Sequence, residues 1–265
     1  EYEANKHYFL AHYFKEKYDK ALKNLPFINS GVNITKVEVW VTNKTGTTND
    51  TRNIVAFLDI GETSSYYDEE TGDGNINDPA VQINNPDPDA LPDNNEANDL
   101  FSKLTTIYSG IRDINEVNSV LGSTPLSNGE DYEKLERSRK LSESEFTINS
   151  QLGYISLNSA LNNDEVLAVA FQFTAGSKTY QVGELSSTGP TAPNALIVKL
   201  LKGTNFSPSL PNWGLMMKNI YALGAYQMSR DGFVLDVVYE NSEESGAITN
   251  YLSEESEAGI HGKPL

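Results

Sequence analysis

The sequence of 265 residues contains no cysteine and only three histidines, at positions 7, 12 and 261. The lack of cysteine excludes disulfide bonds, thiolate catalysis and metal sites built on cysteine. His7 and His12 are five residues apart, so they do not share the helix face that a His-Glu-x-x-His zinc site requires. Motifs for a nucleophile elbow, a phosphate-binding P-loop and a dinucleotide-binding turn are absent as well.

Long hydrophobic runs are also missing. No stretch of 18 apolar residues occurs, so the sequence predicts no transmembrane helix. The first residues, EYEANKHYFLAHYF, lack the basic and apolar regions of a signal peptide. They fall inside a helical pattern, which we expect of a segment excised from a longer chain.

Basic residues are scarce, and their scarcity is local. The net charge is −17, from 37 acidic and 20 basic residues. Residues 62–99 hold eleven of the acidic residues and no lysine or arginine, so the rest of the chain has an ordinary ratio of 26 to 20. A large negative net charge repels the phosphate backbone of nucleic acids, so we expect no nucleic-acid partner.

The hydrophobic pattern predicts an α+β fold with one or more largely antiparallel sheets and several amphipathic helices. Helices are predicted at residues 7–25, 95–108, 113–121, 131–137 and 211–224, where apolar residues recur at three- and four-residue spacing or capping residues flank the segment. Strands are predicted at residues 37–41, 53–61, 166–184 (a hairpin), 194–203 and 232–241. Helices and strands are segregated along the chain, which favours α+β over an alternating fold.

Three segments follow from these patterns. Residues 1–63 form an N-terminal helix and strand pair, and residues 64–95 form an acidic loop rich in Asn, Asp and Pro. Residues 96–265 contain helices followed by a mainly β region, which we expect to pack with residues 1–63 as one domain. The loop is long for a compact domain, so we expect it at the surface, held by ions or turns.

Asp59 and Glu62 are the first candidates for chemistry, because they lie three residues apart at the end of an apolar strand. A pair of carboxylates with divergent pKa values could perform general acid and base catalysis, as in a glycoside hydrolase. The plainer interpretation is that polar residues begin where a buried strand ends. We favour this interpretation, in which the two side chains fix the exit of the strand and catalytic residues are absent.

A second candidate is a calcium site in the acidic loop. Calcium takes six to eight oxygen ligands, and its loops alternate Asp or Asn with Gly. Residues 68–79, DEETGDGNINDP, show this alternation, and the ligands would be Asp73, Asn75, Asn77 and Asp78. The spacing of an EF-hand is not met, so an ordinary acidic turn is the alternative. Trp40 and Trp213, with many tyrosines, could form a sugar-binding platform or simply pack in the core.

Several long blocks of the sequence resemble one known family. They include KVEVWVTNKTG, TRNIVAFLDIGE, GIRDINEVNSVLG, SESEFTINSQLGYISLNSALNNDEVLAVAFQFT and LIVKLLKGTNFSPSLPNWGLMMKNIYALGAYQ. In their order along the chain and in their residues, these blocks resemble the SprA family, also called Sov, of Bacteroidetes gliding motility and type IX secretion. The acidic loop of residues 64–95 is the part without a counterpart.

The resemblance implies that the parent protein is a giant outer-membrane β-barrel, the translocon that passes folded cargo. The present chain would be a soluble domain of that protein, either its cap or an insertion between barrel strands, and it would not itself span the membrane. The family implies no catalytic residues and no cofactor, so we expect no enzymatic activity. Its partners would be other type IX secretion components and secreted cargo proteins, with the extracellular face favoured over the periplasm. The alternative is a cell-surface adhesin or glycan-binding module.

Overall fold

A computed structural model describes residues 2–85, 92–225, 228–229, 231–234, 239–240 and 247–248. The chain divides into two compact units: one is Tyr2–Ala222, and the other is Leu223–Leu265 together with Glu1. The three segments predicted along the sequence stay a prediction.

The first unit is built mainly from strands. Its helices are α1 (His12–Leu22), α2 (Leu100–Thr106) and α3 (Val117–Leu121), with 3-10 turns at Ser109–Arg112 and Pro211–Leu215. Its strands are β1 (His7–Phe9), β2 (Val32–Val41), β3 (Thr51–Phe57), β4 (Tyr132–Lys140), β5 (Phe146–Asn149), β6 (Tyr154–Leu157), β7 (Leu167–Ala175), β8 (Lys178–Val182) and β9 (Leu196–Lys202). Among the described residues, no helix has the length and apolar content needed to cross a membrane.

Five strands close into a barrel. The order is β2, β4, β3, β9 and β7, and the pairing of β7 with β2 completes the ring. Only β3 and β9 run parallel, while the other neighbours are antiparallel. The predicted α+β class is therefore wrong: the fold is mostly β, with a closed five-stranded barrel and few, short helices.

The barrel interior is narrow and filled by side chains. One buried cluster takes residues from all five barrel strands and otherwise contains only Val166 and Leu185. Trp40 is its largest side chain, and it shares the cluster with three small residues: Ala56 on β3, and Ala168 and Ala170 on β7. A barrel of few strands leaves room only for such interdigitated side chains, so this interior is a packed core.

The outer face of the barrel is buried as well. Helix α1, the short helices and a second sheet, in which β6 lies between β1 and β5, contribute to a second cluster with the outward side chains of the barrel. Phe14 of α1 lies 5.3 Å from Phe173 between ring centroids. Gly153 (φ +65°) lies under Phe14, where an added Cβ would come within 2.2 Å of the ring, so only glycine fits.

Burial on both faces explains which strand predictions are confirmed. β9 is buried along its whole length, and β3 and β7 are buried over most of theirs. Apolar runs identified β3 and β9 in the sequence, and the alternating apolar residues of a hairpin identified β7. The predicted hairpin at residues 166–184 is confirmed as β7 and β8. β2 is also confirmed.

The helix predictions are confirmed only in part. Residues 7–25 divide into β1 and α1, and the helices predicted at residues 95–108 and 113–121 shorten to α2 and α3. Residues 211–224 contain only the 3-10 turn. Residues 131–137, predicted as a helix, belong to β4, and β5 and β6 were not predicted.

The charged sequence of β4, YEKLERSRK, concealed a strand because tertiary partners satisfy its polar side chains. Glu133 accepts a hydrogen bond from the backbone N–H of Thr204 at 2.8 Å, and the Lys140 ammonium lies 2.7 Å from Glu38. Neither partner is near β4 in sequence. The pattern of β4 alone therefore indicates a solvated helix, and the barrel makes it a strand.

The acidic loop lacks regular secondary structure over residues 64–85 and 92–95, as predicted, but part of it is buried. Ile76, Asp78 and Asp93 are at most 5% exposed, whereas Tyr66 is 56% exposed. Its middle residues, 86–91, lie outside the described part of the chain. Turns do hold the loop, since the N–H groups of Asn75 and Tyr67 donate to Ser65 and Ile76 at 2.9 and 2.8 Å.

In the second unit, β10 (Tyr239–Glu240) pairs antiparallel with β11 (Ala247–Ile248). Of the strand predicted at residues 232–241, residues 235–238 and 241 lie outside the described residues, and residues 239 and 240 form β10.

Candidate functional site

The turn after β3 directs Asp59 and Glu62 into the interior. Asp59 is 1% exposed and Glu62 is fully buried. Gly61 has a φ of +81°, and an added Cβ there would lie 3.1 Å from Val182. A sharp turn at Gly61 thus keeps the chain against the barrel, so both carboxylates point away from solvent.

Glu62 lies in a buried ionic cluster with Lys199 and His12. The Lys199 ammonium, on β9, donates to the backbone carbonyls of Leu58 and Ile60 at 3.1 and 3.0 Å and to Glu62 Oε1. The same carboxylate oxygen lies 2.9 Å from His12 Nδ1. Because β3 and β9 are parallel neighbours, Lys199 lies opposite Phe57, at the end of the strand that leads to Glu62.

His12 contacts an oxygen acceptor through each of its ring nitrogens. Its Nε2 lies 2.9 Å from the carbonyl oxygen of Pro211, which can only accept a hydrogen bond. Its Nδ1 faces the Glu62 carboxylate, which also only accepts. Burial by itself raises the pKa of Glu62, but the nearby His12 and Lys199 charges lower it below its ordinary value. The cluster therefore holds one carboxylate between an imidazole ring and an ammonium group.

Asp93 and Asp59 flank this cluster. Asp93 accepts hydrogen bonds from Thr63 Oγ1 at 3.0 Å and from the Tyr13 backbone N–H at 3.2 Å. Burial raises the pKa of Asp93 to about 7, and the negative charge of Glu62 acts in the same direction. Asp59 accepts from the N–H groups of Asn77 and Asp78 at 2.7 and 2.9 Å, and burial raises its pKa to about 7 as well.

The arrangement joins segments that are distant in sequence. His12 comes from α1, Glu62 from the turn after β3, Lys199 from β9 and Asp93 from the acidic loop, while Pro211 begins the 3-10 turn. Carboxylates, an imidazole ring and an ammonium meet here, as in many acid–base sites. Their near-complete burial leaves them no surface that a substrate could reach, so the geometry supports a role in holding the fold.

Two members of this cluster, Lys199 and Asp93, were not predicted from the sequence. Lys199 had a signal, since it is a lone charge inside the apolar strand LIVKLL, which predicts a buried ammonium that needs partners. No sequence signal distinguishes Asp93, because it is one of eleven acidic residues between positions 62 and 99. His12 was set aside in the sequence because its spacing from His7 does not fit a zinc site, and it is 3% exposed.

The four residues of the calcium prediction have separate partners. Asn75 donates to Glu16 at 3.1 Å, Asn77 donates to Asp131 at 2.6 Å, and Asp78 accepts from the backbone N–H of Ala80 at 2.8 Å. Asp73 lies where the loop turns back on Asp68. In the described parts of the chain, no group of three or more His, Cys, Asp or Glu could hold a metal ion. The calcium site stays a prediction.

The tryptophans of the proposed sugar platform lie in different environments. Trp40 is 1% exposed inside the barrel, so it cannot present a face to a ligand. Trp213 is half-buried. Its ring centroid lies 4.9 Å from the ring centroid of Phe206 and 4.9 Å from the ammonium nitrogen of Lys218. Only Trp213 could contribute to such a platform.

The barrel wall opens into a cleft of about 700 Å³ beside β2. β2 and β4 share only two residue pairs, Trp40 with Lys140 and Val41 with Arg139. The earlier part of β2 therefore lacks β4 as a neighbour, and the cleft lies between this part and β5. Glu38, at its base, accepts hydrogen bonds from Lys140 Nζ and Ser186 Oγ, both at 2.7 Å.

Replacing Lys199 with methionine tests the importance of the ionic cluster. Lys199→Met leaves the buried Glu62 without its strongest partner, so we expect a loss of about 3–5 kcal/mol in the free energy of unfolding. The control is Lys44→Met, which removes an exposed ion pair with Asp164 and should change stability little. Urea unfolding measures both. Equal losses in the two variants would contradict the central role of the cluster.

The raised pKa of Asp93 predicts a pH dependence. Its pKa in the folded state, about 7, exceeds the ordinary value of 3.8, so its contribution to stability is complete below pH 4 and is lost as the pH rises through 7. Asp93→Asn removes this loss, so the stability of the variant relative to the parent should rise between pH 4 and pH 8. The upper bound is roughly 4 kcal/mol.

Asp93→Asn also weakens the hydrogen bond that the Tyr13 backbone N–H donates to residue 93. This loss lowers stability equally at every pH, so it does not change the slope of stability against pH. Asp164→Asn is the control, because its hydrogen bond with Lys44 lowers the pKa of Asp164. Its effect should appear only as the pH falls through about 4. Stability curves of parent and Asp93→Asn that run parallel from pH 4 to pH 8 would refute the prediction.

A family model described as motility related/secretion protein, SprA_N, matches residues 1–161. This match covers more than half of the chain and includes α1, the barrel strands β2 to β4 and the residues His12, Glu62 and Asp93. No curated protein matches the chain. The SprA resemblance of the sequence blocks is thereby confirmed, and the chain belongs to the SprA_N family of motility-related and secretion proteins.

Proposed function

We propose that the chain is a non-catalytic module of the outer-membrane translocon for type IX secretion and gliding motility, acting as its cap or as a domain inserted in it. The observation that carries the proposal is the SprA_N match over residues 1–161. A member of a secretion and motility family that consists of a rigid, densely packed barrel is suited to shaping or covering a protein conduit.

The absence of catalysis is part of the proposal. Its support is the burial of the groups that could perform chemistry: Asp59 hydrogen-bonds backbone N–H groups, and Glu62 is enclosed by Lys199 and His12. A glycosidase needs two carboxylates that face each other across a substrate-binding space. The arrangement of Asp59 and Glu62 does not provide one, since both are at most 1% exposed.

The partners in this proposal are other type IX secretion components and secreted cargo, without nucleic acid. The net charge of −17 supports the exclusion of nucleic acid. We propose the extracellular face over the periplasm. The exposed, acidic part of the loop around Tyr66 and Glu70 would then face the medium.

The alternative is an adhesin or glycan-binding module, and one observation favours it. Trp213 remains partly accessible beside Phe206, and half-exposed aromatic rings can stack on sugars. Binding to a glycan array that Trp213→Ala abolishes would support this alternative over the translocon module.

The translocon proposal is tested in the bacterium that produces the protein. Chromosomal Lys199→Met destabilises the module, and Lys44→Met is its matched surface control. We expect secretion of cargo and spreading on agar to fall in the first strain only, because a poorly folded module cannot shape the conduit. Immunoblotting of outer membranes must show equal amounts of the parent protein, so that the defect reflects the module. Normal secretion and spreading in the Lys199→Met strain, with destabilisation verified in vitro, would reject the proposal.

The side of the membrane is tested through the lack of cysteine. Glu70→Cys places one thiol on the exposed part of the acidic loop, and Ala170→Cys places one in the barrel interior. We expect a membrane-impermeant maleimide to label the first variant, and not the second, in intact cells. Labelling that requires permeabilisation of the outer membrane would place the module in the periplasm instead.

A further inference from the structure

The cleft beside β2 lies between two strand edges. Ile34 and Val37 of β2 line one wall, and Phe146 and Ile148 of β5 line the other. The walls are joined at one end by the hydrogen bond from Ile34 N–H to the Ser150 carbonyl at 2.8 Å. At the other end, Leu141 N–H donates to the Val39 carbonyl at 2.8 Å. Between these two bonds the edges separate.

On β2, the backbone of Val37 faces the cleft. In an antiparallel pair, successive residues direct their N–H and C=O groups to alternate sides of the strand. The carbonyl of Val39 points away from β7, toward Leu141, so Val37 has the same orientation. Among the described residues, no hydrogen bond occupies the N–H or C=O of Val37.

On β5, the same alternation turns the backbone groups of Phe146 and Ile148 away from β6. In the register of β5 and β6, Phe146 lies opposite Leu157. The backbone N–H of Leu157 points away from β5, because it donates to the carbonyl of Lys6. Phe146 and Ile148 are therefore not hydrogen-bonded to β6, and β5 is the edge strand of its sheet. Within the described part of the chain, their backbone groups have no other partner, so they are open to a ligand.

Two unpaired charges border the cleft. Lys36 and Glu143 both line it and are exposed, and neither forms an ion pair with the described residues. Lys140 and Glu38, the other charged groups of the cleft, neutralise each other at its base. An occupant that complements the rim would carry an acidic group beside Lys36 and a basic group beside Glu143.

We propose that this cleft binds a short extended peptide segment of another protein, with small β-forming residues flanked by one acidic and one basic residue. Its backbone would hydrogen-bond to Val37 and to Phe146 or Ile148, as in other cases of strand addition to an open edge. The apolar side chains of Ile34, Phe146 and Ile148 would contact its side chains. The proposal stands independently of the role in secretion.

The probes are three blocked five-residue peptides that share the core valine-threonine-valine. One has aspartate at its first and lysine at its last position, one has aspartate at both, and one has lysine at both. Such a peptide spans about 17 Å when extended, similar to the length of β2 from Ile34 to Val39. Titration of the isotope-labelled 265-residue chain, followed by its amide NMR signals, gives both affinity and location.

We expect the mixed-charge peptide to bind about threefold tighter than either like-charged peptide, since each rim charge contributes modestly at an exposed site. The shifted amide signals should include Val37, Phe146 and Ile148. Methylation of the peptide backbone nitrogens should abolish binding, because it removes the donors that pair with the strand edges while the side chains remain.

Charge reversal at the rim provides the decisive comparison. Lys36→Glu should shift the preference to the peptide with two lysines, and Glu143→Lys to the peptide with two aspartates. Lys178→Glu, an exposed lysine on β8 outside this cleft, should leave the ranking unchanged. The proposal is overturned if no peptide shifts these three amides at millimolar concentration, if the methylated peptide binds equally, or if the reversals leave the ranking unchanged.

Discussion

The arrangement of the first unit depends on the contacts that the buried ammonium group of Lys199 makes with the turn after β3. Lys199 lies on a barrel strand, fully buried, where a charge without partners would be very costly. Two carbonyls of the turn after β3 and the Glu62 carboxylate satisfy it, so that turn must fold back over the barrel. Glu62 in turn fixes His12, and His12 fixes α1 against the carbonyl of Pro211. One buried charge thus links β9, the turn after β3 and α1.

The barrel sets a second constraint. Its interior packs Trp40 in one cluster with Ala56, Ala168 and Ala170, and its outer face is covered by α1 and the second sheet. The ring is weakest between β2 and β4, which share two residue pairs. The cleft lies there, beside strand edges that have unused backbone groups. Dense packing elsewhere makes this gap the place where a partner could add hydrogen bonds without disturbing the core.

The same geometry changes how the acidic residues are interpreted. Asp59 and Glu62 resemble catalytic carboxylates in sequence, but buried partners occupy them. Within the described residues, the charged groups of the cleft that have no ion pair are Lys36 and Glu143. Membership of a secretion and motility family accords with this distribution. Rigid internal charges hold the scaffold, while the exposed charges and open edges beside β2 are available for contact with other proteins.

The sequence by itself determined β3 and β9, because buried strands require apolar runs, and β7, because the apolar residues of a hairpin alternate. Its long blocks determined the family. It did not determine the fold class: the charged residues of β4 mimic a helix until Glu38 and Thr204 are brought beside them. Ring closure and the meeting of His12, Glu62, Asp93 and Lys199 depend on contacts between residues far apart in the chain. Only the tertiary structure decides such contacts, because local periodicity carries no information about distant partners.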